Sequence, residues 1–437
     1  MSIAKTVQAS VYHIPKLFPL TTIIYRLFLE FYYYTAIVLA FFSPKADAWL
    51  AGQRQTWLHL QKTARNTHRP TLWIHCASLG EFEQARPIIE SVKTQYPHAR
   101  IILTFFSPSG YEIRKNYALA DEVHYLPLDT PSNVQLWLTQ KQPTVAIFVK
   151  YEFWHYYLQA LQQNNISTYL IAANFRPEQV FFKWYGGFFR QMLHRFSHIF
   201  VQNPPSAALL QNRQINSTTA GDTRFDRVIA KSQQPQELPL IQTFKANYHL
   251  LVAGSTWSQD EIELAQIINQ IADQPLQHLR WIIVPHEPND NHIATLEKLL
   301  TVQHIRYSSA NETNIKSVKV LIIDSIGILA DLYQYAEYAY IGGGFGKGIH
   351  NTLEAAVFGI PVFFGPEYHK FQEAKDLIDQ KGAFAVQNAN ELYSYLLKME
   401  LKPIARQQSA AASQQYVLQN QGATLKIMQY IAQHFRL

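Results

Sequence analysis

The chain reads as an α/β protein made of two parallel-sheet domains in tandem, and three observations predict this. Short apolar runs alternate with amphipathic stretches of helical spacing, which is the rhythm of βαβ units. That rhythm breaks at one polar stretch, Ala230 to Pro239, and then restarts. The 437 residues leave room for two substantial domains with buried cores and an appendage.

The appendage comes first and is expected over residues 1–52. From Leu17 to Phe42 the chain is rich in aromatic and aliphatic residues, but Arg26 and Glu30 interrupt it, leaving twelve uninterrupted residues from Phe31 to Phe42. Spanning a bilayer takes about 20. No small-residue cleavage site follows, since Ser43-Pro44-Lys45 comes next. Two readings stand: a helix lying in a membrane interface with Lys5, Lys16, Arg26 and Lys45 toward the headgroups, or a core helix of the first domain.

The first domain, residues 53–229, is predicted from strands at 71–76, 100–104, 123–126, 144–149, 168–172 and 198–202. Helix-like segments lie between them at 81–96, 109–118, 152–163 and 205–212. Residues 230–239, with two prolines and several glutamines, read as a linker. The second domain, residues 230–437, carries strands at 249–253, 279–284, 318–323, 338–341 and 360–364. Ligands of open α/β sheets collect at the carboxyl ends of the strands, so the chemistry is expected there.

Composition narrows the function. A hydrophobic fraction of 48% with 16% charged residues excludes a disordered chain, and a net charge of +6 suits an anionic membrane surface or a phosphorylated ligand better than duplex nucleic acid. The one cysteine, Cys76, excludes a disulfide framework and points to a reducing compartment. It lies on an apolar strand with no evident histidine partner, which marks it as core. His194 and His198, four apart, lack a third ligand nearby and read as structural.

The glycine cluster Gly342 to Gly348 fails the P-loop pattern, with Ile341 where the first glycine belongs and Gly348 where Ser or Thr would hold magnesium. What remains is a flexible strand-exit loop followed by His350-Asn351-Thr352, able to cap a helix whose amides would bind phosphate, with the glycines letting backbone come close. Glu354 falls where a ribose-binding carboxylate would sit. In the first domain, Ser78-Leu79-Gly80-Glu81 reads as a strand end, a glycine turn and a carboxylate opening a helix. Glu81 is either a general base for a hydroxyl nucleophile or an acid that complements the helix dipole. Glu152, in Lys150-Tyr-Glu-Phe-Trp154, repeats the arrangement with the same two readings.

Taken together these residues resemble the Kdo transferase family of lipopolysaccharide synthesis, which moves 3-deoxy-D-manno-octulosonic acid (Kdo) from CMP-Kdo to the lipid A precursor (lipid IVA). The resemblance runs through the apolar N-terminus, Ser78-Leu-Gly-Glu81, Glu152-Phe-Trp154, Ala172-Ala-Asn-Phe-Arg176, Gly221-Asp-Thr-Arg-Phe-Asp226, Gly254-Ser-Thr256, Gly342-Gly-Gly344 and His350-Asn-Thr-Leu-Glu354, in that order. It implies a GT-B fold, an inverting transfer that needs neither metal nor other cofactor, and attachment to the cytoplasmic face of the inner membrane.

Carried over by position, the resemblance makes Glu81 the catalytic base and Glu152 a carboxylate that assists the transition state. It makes Asn351, Thr352, Leu353 and Glu354 a CMP-binding helix start, and Ile326, Gly327 and Ile328 a second CMP-contacting turn. Two positions depart from the family pattern. Pro285-His286 stands where Pro-Arg is common, and Arg224 where a lysine is usual. Arg224 keeps the positive charge in a fork geometry suited to phosphate, whereas an imidazole is charged only below about pH 6.5. The implied partners are CMP-Kdo, the lipid A precursor and a membrane surface, with no nucleic acid. Two rivals share features of the sequence. The UDP-sugar 2-epimerases have the two-domain architecture without a use for the apolar N-terminus, and a catalytically silent membrane-tethered nucleotide-sugar or lipid-binding protein would have no use for Glu81.

Overall fold

Strands buried on both faces read as unbroken apolar runs, and those runs form the two sheets. The computed structural model describes residues 20–62, 69–270 and 276–434. Chain contacts divide it into two units, one running to Asp226 and taking back the chain from Gly422, the other Arg227–Gln421.

The first unit holds a parallel seven-stranded sheet of β1 (Thr71–Cys76), β2 (Arg100–Phe105), β3 (Glu122–Tyr125), β4 (Val145–Val149), β5 (Ser167–Ala173), β6 (His198–Val201) and β7 (Ser217–Thr219). Its order is β3-β2-β1-β4-β5-β6-β7, so the winding reverses between β1 and β4. The side-chain period of two sorts β1 onto two cores. Leu72, Ile74 and Cys76 pack with Ile101, Leu103 and Ile147 on one face, and Trp73 packs with Ile102, Ala146 and Phe148 on the other. Helix α3 (Leu79–Gln95) covers the first face through Phe82, Ala85, Ile88 and Ile89. The last helix, Ala423–His434, joins the same face through Ile427, Met428 and Ile431, and so returns the chain to the first unit.

Ahead of the sheet come α1 (Leu20–Ala40) and α2 (Pro44–Lys62). The two charges inside the apolar run pair with each other on α1, Arg26 Nε donating to Glu30 at 2.9 Å. Thr22, Leu29 and Ala36 of α1 are buried against the unit, while Leu20, Ile23, Ile24, Leu27, Phe28 and Phe31 face outward. The Tyr25 hydroxyl donates to buried Asp129 at 2.8 Å. The helix is therefore core on one stripe and exposed apolar surface on the other. Lys5 and Lys16 lie outside the described residues.

The second unit repeats the plan with β8 (His249–Thr256), β9 (Leu279–Pro285), β10 (His304–Arg306), β11 (Val320–Ile322), β12 (Tyr338–Ile341), β13 (Val362–Phe364) and β14 (Ala383–Ala385), in the order β10-β11-β9-β8-β12-β13-β14. All its strands are parallel, and its winding reverses between β8 and β12.

Three expectations shift. The stretch expected as a linker is helical as far as Gln233, because Phe225, Val228 and Ile229 form a buried stripe on the helix Thr223–Gln233; a second helix, Pro239–Lys245, follows. The helix expected from Glu152 begins at His155, leaving Glu152 in the preceding turn. Gly80 does not turn the chain. It sits in the first turn of α3, and the bend is made by Ala77 and Ser78.

Candidate functional site

Glu81 is the third residue of α3, and its Oε2 accepts the backbone N–H of Ser78, the N-cap, at 3.0 Å. This is the capping geometry of a first-turn acid. The carboxyl is also held above its ordinary pKa, first by burial and then by the charge of Glu152, with His75 and the Ala77 and Ser78 amides acting the other way. Beside Gly80 the approach is open, since a Cβ there would meet nothing within 4 Å.

Glu152 follows β4 through Lys150, a non-glycine residue in the left-handed region at φ 57°. Its Oε2 accepts the Trp154 indole N–H at 2.8 Å and lies 2.9 Å from His75 Nε2. The Glu-x-Trp spacing thus lets the tryptophan hold the acid two residues before it. The structure brings Glu81 and Glu152 together where β1 and β4 end. It adds His75, which sequence reasoning passed over. The signal was there: one ionisable residue inside the otherwise apolar β1, on the same face as Trp73.

Arg224 is fastened to Asp222, its Nε at 2.9 Å and its Nη2 at 2.8 Å from Oδ2. Burial pushes the Asp222 carboxyl up, but Arg224 brings it below the usual carboxylate range. Asp222 also accepts from Gln84 and Gln202 at 3.3 and 2.9 Å. Gln84 lies one turn beyond Glu81 on α3, so Arg224 is tethered to the helix that carries Glu81.

In the second unit, Pro285 ends β9, and the ring of His286, which follows it, is partly covered in a stack. Its centroid is 4.7 Å from Trp257 and 4.3 Å from His350. Trp257 donates its indole N–H to His350 Nε2 at 3.0 Å. Burial, then the neighbouring His286, pushes His350 down to about 4, and burial lowers His286. At neutral pH His286 therefore does not supply the charge of the arginine that the resemblance expects there.

Ile326 is 88% exposed beyond β11, and Gly327 takes φ 108°, a left-handed turn that favours glycine, before Ile328 caps a short helix. Past β12, Asn351 Oδ1 accepts the Leu353 N–H at 3.1 Å, while its Nδ2 donates to Glu354 Oε1 at 3.1 Å. The helix they start is one turn long, Leu353–Ala356. Burial raises the pKa of Glu354, and Arg227 opposes the rise. The Thr352 hydroxyl is buried without a hydrogen-bond partner among the described residues.

The glycine loop is packed and fastened where a flexible loop was expected. A Cβ on Gly342 would lie 2.3 Å from the Ser255 carbonyl, and one on Gly344 2.4 Å from the Gly365 nitrogen. Buried Asp260 accepts the N–H of Gly343 at 2.7 Å and of Trp257 at 2.9 Å. These glycines let backbone approach backbone.

Among the described residues, His59, Glu122 and His124 form one cluster of metal-ligating side chains, and His249, His278 and Glu400 another. Lys141 and Arg100 already pair with Glu122, and Arg406 with Glu400. His198 bonds Thr218 at 2.9 Å and stacks on Tyr430, as a structural histidine does. Cys76 is buried, which raises its thiol pKa well above the ordinary value.

Residues 52–227 match the family described as 3-deoxy-D-manno-octulosonic-acid transferase (kdotransferase). The chain is similar to the 3-deoxy-D-manno-octulosonic acid transferase of Haemophilus influenzae, 28% identical over 82% of this chain and 85% of that one. It is also similar to that of Aquifex aeolicus, at 27% over 75% and 85%. Among solved structures, UDP-GlcNAc 2-epimerase from Neisseria meningitidis superposes with a TM-score of 0.59 at 15% identity, covering 83% of this chain and 100% of that one. Acinetobacter baumannii MurG does so at 0.51 and 12%, covering 84% and 99%. Both are likenesses of fold, and they place the two sheets in the GT-B architecture.

Proposed function

We propose that this chain, whose residues 52–227 match the 3-deoxy-D-manno-octulosonic-acid transferase family and which is similar to transferases of that name, is a member of that family and transfers Kdo from CMP-Kdo to a hydroxyl of the lipid A precursor with inversion at the anomeric carbon. The observation that carries the reading is the carboxylate pair at the ends of β1 and β4. Burial and Glu152 raise the pKa of Glu81, which suits a group that must accept a proton near neutral pH. Glu81 takes the acceptor's hydroxyl proton as that oxygen attacks, the C–O bond to the CMP phosphate breaks, and CMP leaves with the bonding pair. Glu152 assists from its place beside Glu81.

Acceptor binding is assigned to residues 53–229 and CMP-sugar binding to residues 230–437. In the second part Pro285, His286, Ile326, Gly327, Ile328, Asn351, Thr352, Leu353 and Glu354 are the proposed donor contacts. The buried Thr352 hydroxyl, without a hydrogen-bond partner among the described residues, and the exposed Ile326 support this, since a ligand would give the first a partner and the second cover. Leaving-group charge falls to Arg224 and to backbone amides, so no metal is required. Activity is expected to survive excess EDTA; loss on chelation, restored by a divalent cation, overturns that part.

The outward face of α1 is proposed to lie in the interface at the cytoplasmic side of the inner membrane. Its 21 residues are long and apolar enough to cross a bilayer, but leaving the unit would break the bond from Tyr25 to buried Asp129. Exchanging Phe28 and Phe31 for serine is expected to release the protein from vesicles without lowering its melting temperature. Retained binding contradicts the surface assignment.

The direct test is incubation with CMP-Kdo and tetraacylated lipid A precursor, followed by mass spectrometry of the lipid. A mass gain of Kdo supports the transferase. An unchanged lipid, with epimerisation of UDP-GlcNAc or with no reaction at all, supports one of the rivals.

A further inference from the structure

His75 is fully buried at 0% exposure in the middle of the unit, where a polar ring is costly unless its nitrogens are bonded. Both are. Nδ1 is 2.9 Å from the Thr104 hydroxyl, which also accepts the Trp73 indole N–H at 2.9 Å. Nε2 is 2.9 Å from Glu152 Oε2, the oxygen that accepts from Trp154 at 2.8 Å. An ionised carboxylate has only lone pairs to offer, so with Glu152 ionised the proton between His75 and Glu152 sits on the ring, and the Trp154 indole N–H, which also lies 3.2 Å from Nε2, is given to the carboxylate oxygen alone. This holds for either protonation state. In the neutral ring, the Thr104 hydroxyl donates to Nδ1. In the doubly protonated ring, Nδ1 donates to Thr104, whose own proton turns to the Ile74 carbonyl at 3.3 Å.

Register explains why the ring is there. His75 pairs with Thr104 of β2 and with Phe148 of β4, so it stands at the strand pair where the winding reverses, one strand over from the acid it holds. The ionisable groups around the Glu81 carboxyl come from three elements. From β1 there are His75 and Cys76, from α3 Glu81 itself, and from the turn after β4 Glu152. Burial and the two carboxylates keep Cys76 a neutral thiol. Glu152 opposes ionisation of Glu81, and His75 favours it.

We propose that His75 is a positioning residue for the transfer, holding Glu152 in place and offsetting its charge so that Glu81 stands ionised as the base. The proposal rests on the reading of Glu81 as that base.

The experiment compares full-length wild-type enzyme with His75→Gln, His75→Phe and Glu81→Gln in detergent, with CMP-Kdo and lipid A precursor, following kcat/KM from about pH 5.5 to 9. For His75→Phe the acid limb is expected to move up by about 1 unit. That lowers activity by ~10-fold on the limb, with recovery at high pH and the donor KM unchanged. His75→Gln keeps an N–H toward Glu152 and moves the limb the same way by less; it carries the test where the Phe variant does not fold. In His75→Gln/Glu152→Gln, with the opposing charge gone, the limb returns toward its original place. A limb that stays put in the His75 variants, with activity lost equally at every pH or only the melting temperature lowered, overturns the proposal. Normal turnover in Glu81→Gln overturns the base reading itself. An inactive Glu81→Gln with unmoved His75 limbs overturns the His75 proposal alone.

Discussion

The two sheets wind alike but put opposite chemistry at the strand pair where the winding reverses. In the first unit β1 and β4 lead into ionisable side chains, His75, Glu81 and Glu152, each with a polar partner. In the second, β12 leads into Gly342, Gly343 and Gly344, and Gly342 lies against Ser255 and Thr256 at the end of β8, with backbone filling the space that side chains would take. Buried Asp260 in the second unit accepts from backbone amides, those of Trp257, Gly343 and Phe345 among them, and from the Tyr340 hydroxyl at 2.9 Å, and fastens the loop. Glu81 and Glu152 in the first face each other as well as their donors. On the proposed function, the same topological place serves proton transfer where acids crowd. Where an acid is saturated with donors, it serves as scaffold.

The largest effect expected from this contrast is on turnover. Glu81→Gln keeps size and hydrogen bonding but not proton acceptance, and should lower turnover by ~10²-fold or more with donor binding little changed. Near-normal turnover would break the contrast on the side of the acids. Next, Gly342→Ala presses a methyl group against the Ser255 carbonyl and the Thr256 Cα, and should destabilise the protein by about 1–3 kcal/mol in thermal unfolding. An unchanged melting temperature would break the contrast on the side of the glycines. The smallest effect is expected at Gly80, where a Cβ meets nothing. Gly80→Ala inside α3 should stabilise by up to about 1 kcal/mol, opposite in sign to Gly342→Ala, and a melt of each variant compares them directly.

How much of this was legible depended on burial. β1, β2, β4, β5, β8 and β9 are apolar from end to end or nearly so, and they stand where they were expected. β7, β10 and β14 have three residues each and lie at or beside sheet edges, with polar or half-buried side chains that give no alternation to read. Just ahead of the stretch taken for a linker, the helical spacing of Phe225, Val228 and Ile229 was outweighed by the glutamines and prolines that follow it. The periodicity of Ile427, Met428 and Ile431 shows that the last helix has a buried face but not which unit covers it. At the site, motif spacing singled out Glu81 and Glu152. A histidine inside an apolar strand reads as core until the register sets Thr104 on one side of it and the turn after β4 on the other. The packing of Gly342 against Ser255 was hidden for the same reason, since strand adjacency, absent from spacing, decides it.

The most direct test of the central claim is the pH dependence of kcat/KM for Kdo transfer by the wild-type enzyme and Glu81→Gln. A base must be ionised, and Glu81 has its pKa raised above the ordinary glutamate value of 4.5, so activity should fall as pH drops through that raised value. The account predicts an acid limb above pH 4.5 in the wild type and no such limb in the residual activity of the variant. A wild-type limb at or below the ordinary glutamate value, or the same limb persisting in Glu81→Gln, would contradict it.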